Sequence, residues 1–160
     1  MAHPSNSLLN VPHHPQESDG YCLPACVQMV LDYLGLPYAQ EQLARELYVR
    51  PPLGAPASNV LRLRSDVLDV TFTSGNLSDL RTRVAQGSPP IVFVQAGELP
   101  HWQNRISQHA IVVVGVDEQT VQILDPAADP SPIPVPIGDF LLAWSKLDYI
   151  YAILVRPKPH

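Results

Sequence analysis

Cysteine is scarce in this chain: Cys22 and Cys26 are the only two in 160 residues. They stand four apart in a stretch with helical patterning, a poor place for a disulfide, and two cysteines cannot build a secreted disulfide scaffold. Free thiols in a reducing compartment are expected, and with them a cytoplasmic location. Charge is sparse as well. Charged residues make up 16% of the chain against about 25% in ordinary domains, which excludes a solvated, disordered or coiled-coil type. Lysine and arginine number 10, form no cluster and leave a net charge of −5. Such a surface lacks the dense positive charge that displaces counterions from nucleic acid or anionic membranes. No apolar run approaches the roughly 20 residues needed to span a bilayer. The opening "MAHPSNSLLNVPHHPQ" has neither the basic start nor the continuous apolar segment of a secretion signal.

What the chain does have is enough apolar residues, 46%, to bury one sizeable core, so a single globular domain is expected. From Cys26 the apolar positions Met29, Val30, Tyr33 and Leu34 follow a 3.6-residue stripe, and Gly35 supplies a stop. That predicts a buried first helix. Leu43, Ala44 and Leu47 repeat the pattern before Pro51 and Pro52 forbid continuation. A third helix is expected near Ser58, then a short strand in "DVTFT" and a helix from Ser78 to a stop at Gly87. The remainder is rich in β-branched residues: "PPIVFVQAG", "HAIVVVGVD", "TVQILDP", "PIPVPI" and "YIYAILVRP" read as strands, with one or two helical turns in "GDFLLAW", Asp139 near their start. Asp117 to Thr120 reads as the turn of an antiparallel hairpin. The expected class is α+β, N-terminal helices packed on a C-terminal antiparallel sheet as two layers around one core.

Cys22 occupies the mouth of the first helix, where unpaired N–H groups and the helix dipole favour a thiolate. Pro24 fits the first turn, where its missing N–H costs nothing. A thiolate nucleophile needs a base, and the base needs a group to orient its ring. His109 opens one strand of the hairpin and Asp125 closes the other, so they are expected at one edge of the sheet. His109 lies nine or ten places before the turn centre and Asp125 six or seven after, which calls for an irregularity or a tilt to make up the difference. Taken singly, Cys22 reads as readily as an inert small hydrophobe, His109 as a strand-end histidine, and Asp125 as a turn former before Pro126. Together they suggest a nucleophilic site.

The segment "QESDGYCLPAC" followed by "HAIVVVGVD" and "ILDPA" resembles the papain-like cysteine peptidases of the bacteriocin-processing type, which remove leader peptides after a double glycine, and their stand-alone bacterial relatives. The resemblance spans about residues 11 to 155, and it implies a papain-like fold with Cys22 as nucleophile, His109 as general base, Asp125 as orienting residue and Gln16, six places before Cys22, in the oxyanion hole. Residues 1–10 are then expected to be an N-terminal extension and 11–160 the peptidase domain. Two features depart from the family. Leu23 follows Cys22 where a glycine is frequent, placing a bulky residue beside the expected substrate backbone. Membrane spans and an ATPase, which accompany this domain in the bacteriocin exporters, are missing from these 160 residues, so export-coupled leader cleavage is not carried over.

The implied reaction is hydrolysis of a peptide or isopeptide bond in a substrate bound in extended form, with no metal or organic cofactor. An amidohydrolase or acyl transferase on the same residues, or a silent peptide-binding module, are the competing readings; a nucleophile and base together count against the module. His13, His14, Cys22 and Cys26 lack the paired spacing of structural zinc sites. Trp102 reads as a loop aromatic packing on the surface rather than a wall of the cleft, and His101 as solvent-exposed. Asp19 reads as a loop residue. The long loop "QAGELPHWQNRISQ" is expected to reach over the cleft.

Overall fold

Helix α1, Cys22–Tyr33, begins without a side-chain cap, so the N–H groups of its first turn remain available to other acceptors. Gly35 ends it at φ 80°, with Leu36 N–H donating to Leu31 O at 2.8 Å and Gly35 N–H to Asp32 O at 3.0 Å. These paired bonds satisfy the last carbonyls of the helix and demand the positive φ that glycine tolerates. The computed structural model describes residues 8–102 and 107–158. Residues 1–7 of the expected N-terminal extension and 103–106 of the long loop lie outside the described residues.

Helix α2, Gln40–Glu46, follows. It stops well before Pro51, because Tyr48 turns to φ 56° and Val49 N–H closes back on Ala44 O at 2.9 Å. The expected third helix is a 3-10 segment, Ala57–Leu63; Asn59 is drawn to Leu47 O at 2.8 Å, and Arg64 is already extended. Strand β1 is Asp69–Ser74. Helix α3, Leu77–Ala85, starts one residue before Ser78 because Asn76 forms a capping box with Asp79. Strands β2 (Ile91–Gln95), β3 (Gln108–Val116), β4 (Thr120–Leu124) and β5 (Ile133–Pro136) precede helix α4, Ile137–Ser145, and strand β6, Ile150–Val155, completes the sheet. The order is β1-β6-β2-β3-β4-β5, antiparallel throughout.

Two cores flank this sheet, one more than expected. On one face Cys26, Val27 and Val30 of α1 meet Ala110, Val112 and Leu124. On the other, Leu80 of α3 and Phe140 and Trp144 of α4 meet Val92, Ile111, Val113 and Ile123. Helices on both faces explain why β2 and β3 carry continuous apolar runs instead of alternating ones. The α+β class stands, with the sheet as the middle layer.

The hairpin turn is tied by Asp117, whose carboxylate accepts from Gln119 N–H at 2.8 Å and Thr120 N–H at 2.7 Å. The expected irregularity lies between Val113 and Gly115, where one extra residue enters β3. Val114 O there accepts from Leu9 N–H at 2.9 Å. The N-terminal segment is thus fastened to the bulge, and the bulge shifts the far end of β3 by one place relative to β4.

Candidate active site

Cys22, His109 and Asp125 come together at one end of the sheet. Cys22 is the first residue of α1 and half-buried; His109 is the second residue of β3, and Asp125 directly follows β4. His109 Nε2 lies 2.7 Å from Asp125 Oδ1, and His109 also hydrogen-bonds Cys22, which leaves Nδ1 to face the thiol. Burial opposes charge on Cys22, but the hydrogen bond and charge of His109, aided by the N–H groups of Ala110 and Leu23, outweigh it and hold the thiol below its ordinary value. Burial likewise works against the imidazolium. The hydrogen bonds and charges of Asp125 and Cys22 prevail and raise His109 to about 9. The arrangement favours a thiolate beside an imidazolium.

Asp125 is fully buried and both its oxygens are engaged. Oδ1 also accepts from Ala127 N–H at 2.9 Å. Oδ2 lies 2.7 Å from His101 Nε2 and accepts from Trp102 Nε1–H at 2.8 Å. Burial pushes the carboxyl up, but these histidine and indole partners hold it far below the usual carboxylate range. His101 and Trp102 therefore correct the expectation of a solvent-exposed histidine and a surface aromatic. The 3-10 turn Pro100–Trp102 folds the loop back onto Asp125, and the Trp102 ring lies on His109 with centroids 4.7 Å apart. The adjacent His-Trp pair, in a loop leading straight into His109, was the available signal.

Gln16 lines the same cleft as Cys22. Its backbone N–H donates to Pro126 O at 2.9 Å, next to Asp125, and its amide makes a long 3.4 Å bond to Ser18 O. The cleft, about 490 Å³, is lined by Gln16, Gly20, Cys22, Leu53, Phe93 and His109 among others. Asp19 also borders it. Leu23 lies at its edge but is 3% exposed and packs in the α1 core, so its bulk is turned mainly inward.

The remaining sequence candidates stand apart. Cys26 is buried one turn along α1, where burial pushes its thiol well up. His13 Nε2 lies 2.8 Å from the backbone carbonyl of Asp125, while His14 pairs with Asp32 of α1 at 2.9 Å. The adjacent histidines thus fasten the N-terminal segment to two different places.

A family profile described as the Peptidase_C39 like family matches residues 8–151. Comparison with curated proteins finds no match. Among solved structures, a protein from Bacillus anthracis assigned as a C39-like peptidase superposes with TM-score 0.77 at 19% identity, over 95% of this chain and 98% of that one. A double glycine motif protease from an AMS/PCAT transporter, in complex with the leader peptide, gives TM-score 0.71 and 22% identity over 95% of each chain. The peptidase domain of Streptococcus ComA, a bifunctional ABC transporter involved in quorum sensing, gives 0.73 and 18% over 93% of this chain and all of that one. These structures share the papain-like fold found here. By the family profile, which spans nearly its whole length, the chain belongs to the Peptidase_C39 like family of cysteine peptidases.

Proposed function

We propose that this chain hydrolyses a peptide bond through Cys22, with His109 as general base and acid, Asp125 as the residue that orients the imidazole, and Gln16 as oxyanion donor. The observation that carries the reading is the continuous chain of contacts from Cys22 through His109 to Asp125, 2.7 Å at its far end. An extended peptide bound in the cleft brings its scissile carbonyl to the Cys22 thiolate. Sulfur attacks the carbonyl carbon, and the resulting oxyanion is met by the Gln16 amide and the Cys22 backbone N–H. The Gln16 bond to Ser18 is long at 3.4 Å, so its donor is readily transferred to an oxyanion. Imidazolium then protonates the leaving amine, and neutral His109 draws a proton from the water that attacks and releases the acyl group, which restores the thiolate–imidazolium pair.

Leader-peptide processing after a double glycine is the substrate class we favour. It rests on the family and on the neighbour solved with a leader peptide. The reaction needs a reduced thiol, in keeping with a cytoplasmic setting, and no cofactor enters the scheme.

The test is the rate of iodoacetamide alkylation of Cys22 against pH, resolved from Cys26 by peptide mass spectrometry, in wild type and His109→Ala, followed by cleavage of a peptide library containing diglycine sites. Fast alkylation well below pH 8 that disappears in the variant is the expected result. An ordinary thiol that ignores His109 overturns the reading.

A further inference from the structure

Three polar or charged side chains are buried among the described residues: His109, Asp125 and Gln40. The first two form the site. Gln40, the first residue of α2, is 1% exposed and lies outside the Cys22–His109–Asp125 hydrogen-bond chain. A buried amide requires partners, and those of Gln40 are specific. Its Oε1 accepts from Glu17 N–H at 2.7 Å, and its Nε2 donates to Pro15 O at 3.1 Å and to Gln28 Oε1 at 2.9 Å. Gln28, on α1, donates in turn to Tyr38 O at 3.2 Å. One side-chain amide therefore grips the backbone on both sides of Gln16.

Gln16 itself is held by its N–H on Pro126 O at 2.9 Å, so three successive residues are pinned while the Gln16 amide stays only weakly engaged. The anchor is firm, since α2 buries Leu43 and Ala44 and Gln28 belongs to the same helix as Cys22. We propose that Gln40 is a positioning residue for the oxyanion site: through Pro15 and Glu17 it fixes the distance between the Gln16 amide and the Cys22 thiolate. The inference rests on the reading of Gln16 as oxyanion donor. Its physical basis is that a displacement of about 1 Å at a reacting centre costs on the order of 10²-fold in rate.

Two probes separate oxyanion stabilisation from thiol reactivity in the full chain. Acylation of Cys22 by p-nitrophenyl acetate passes through a tetrahedral oxyanion, with p-nitrophenolate as leaving group. Alkylation by iodoacetamide is a direct displacement of iodide and forms none. Both rates are measured in wild type, Gln16→Ala, Gln40→Met and the double variant. We expect Gln40→Met to slow acylation by about 10- to 100-fold, to leave the alkylation rate and its pH profile within about twofold, and to cost nothing further in the Gln16→Ala background. Gln28→Met, which removes one Gln40 partner and leaves the Pro15 and Glu17 bonds, should give a smaller loss that also vanishes without Gln16. It reads the same coupling if Gln40→Met does not fold. Equal loss of both reactions, unchanged acylation, or losses that add to Gln16→Ala overturn the role of Gln40. A wild-type Cys22 inert to iodoacetamide overturns the peptidase reading itself, a distinct result.

Discussion

Trp102 covers His109 and holds its partner at the same time: the rings lie 4.7 Å apart while the indole N–H reaches Asp125 Oδ2 at 2.8 Å. Excluding water from a charge pair strengthens the attraction between its members. Trp102→Ala admits water, which relieves the burial that opposes the imidazolium but also screens the attraction of Asp125 and Cys22. Because that attraction outweighs burial in the folded protein, the pKa of His109 should fall from about 9 and the alkaline limb of peptide cleavage should move to lower pH. Trp102→Phe keeps a ring over His109 but loses the N–H, and should shift the limb less. The pH–rate profiles of the two variants decide the matter; equal shifts would mean that the hydrogen bond, not the cover, sustains the imidazolium.

Wild-type cleavage should follow a bell. Its acid limb falls where the Cys22 thiolate is protonated, below the ordinary thiol range, and its alkaline limb near pH 9, where His109 loses the proton that the proposed mechanism passes to the leaving amine. Alkylation of Cys22 needs the thiolate alone, so it should show the acid limb and then a plateau. A fall in alkylation above pH 9 would contradict the assignment.

Stability should carry the same signature. His109 is raised from 6.5 to about 9 on folding, so its contribution is complete below about pH 6.5 and lost as pH rises toward 9. Asp125 is shifted the other way, and its contribution fades only as pH falls through and below the ordinary carboxylate range. The lowered Cys22 thiol gains stability over the same window and offsets this loss in wild type, so melting temperatures of Cys22→Ala with and without His109→Gln, between pH 6 and 10, test the first part. Cys22→Ala should decline more steeply than the double variant; parallel curves would show that this histidine is not the source.

The placement of Cys22, His109 and Asp125 was legible because each depends on local rules: a helix mouth, a strand start and a strand end joined by one hairpin. The misfit of about three places in their spacing is met in part by the one extra residue between Val113 and Gly115. His101 and Trp102 were not legible in that way. A loop's return path is set by what it meets, and here it meets a buried carboxylate two dozen residues further on. Gln40 has the pattern of any helix-starting glutamine, and its burial depends on a segment more than 20 residues earlier. The second core could have been read from "IVFV" and "AIVVV", runs too continuous for a sheet with one wet face.

Asp125→Asn removes the charge while keeping the size. One amide cannot serve four donors as the carboxylate does, so its NH2 must face at least one of the N–H groups of His101, Trp102, Ala127 or His109. Each buried donor left unpaired costs about 1–3 kcal/mol. His109, without its carboxylate and still buried, should fall from about 9 toward or below its ordinary value. Cleavage should drop on the order of 10²–10⁴-fold, with the alkaline limb moved down by the same cause. Kinetics across pH, with urea unfolding of the same variant, separate the loss of charge from the loss of stability. A variant with normal cleavage would remove Asp125 from the site.

Gly20, two residues before Cys22, joins the start of α1 to the 52–54 wall of the cleft. Its φ is 83°, and a Cβ there would meet Pro52 O at 2.7 Å and Gly54 N at 2.8 Å, backbone atoms with little room to yield. The left-handed conformation alone costs a residue with a side chain roughly 1–2 kcal/mol; the overlap adds to it. Relief must come from the 52–54 segment, which carries Leu53 at the rim of the cleft, or from the turn that leads into α1. Gly20→Ala should therefore lower the urea midpoint and weaken peptide cleavage together, while Gly138→Ala, where an added Cβ meets nothing within 4 Å, leaves both unchanged. If Gly20→Ala instead loses stability but keeps full cleavage, the contact between the two loops is structural and the wall it supports does not shape the site.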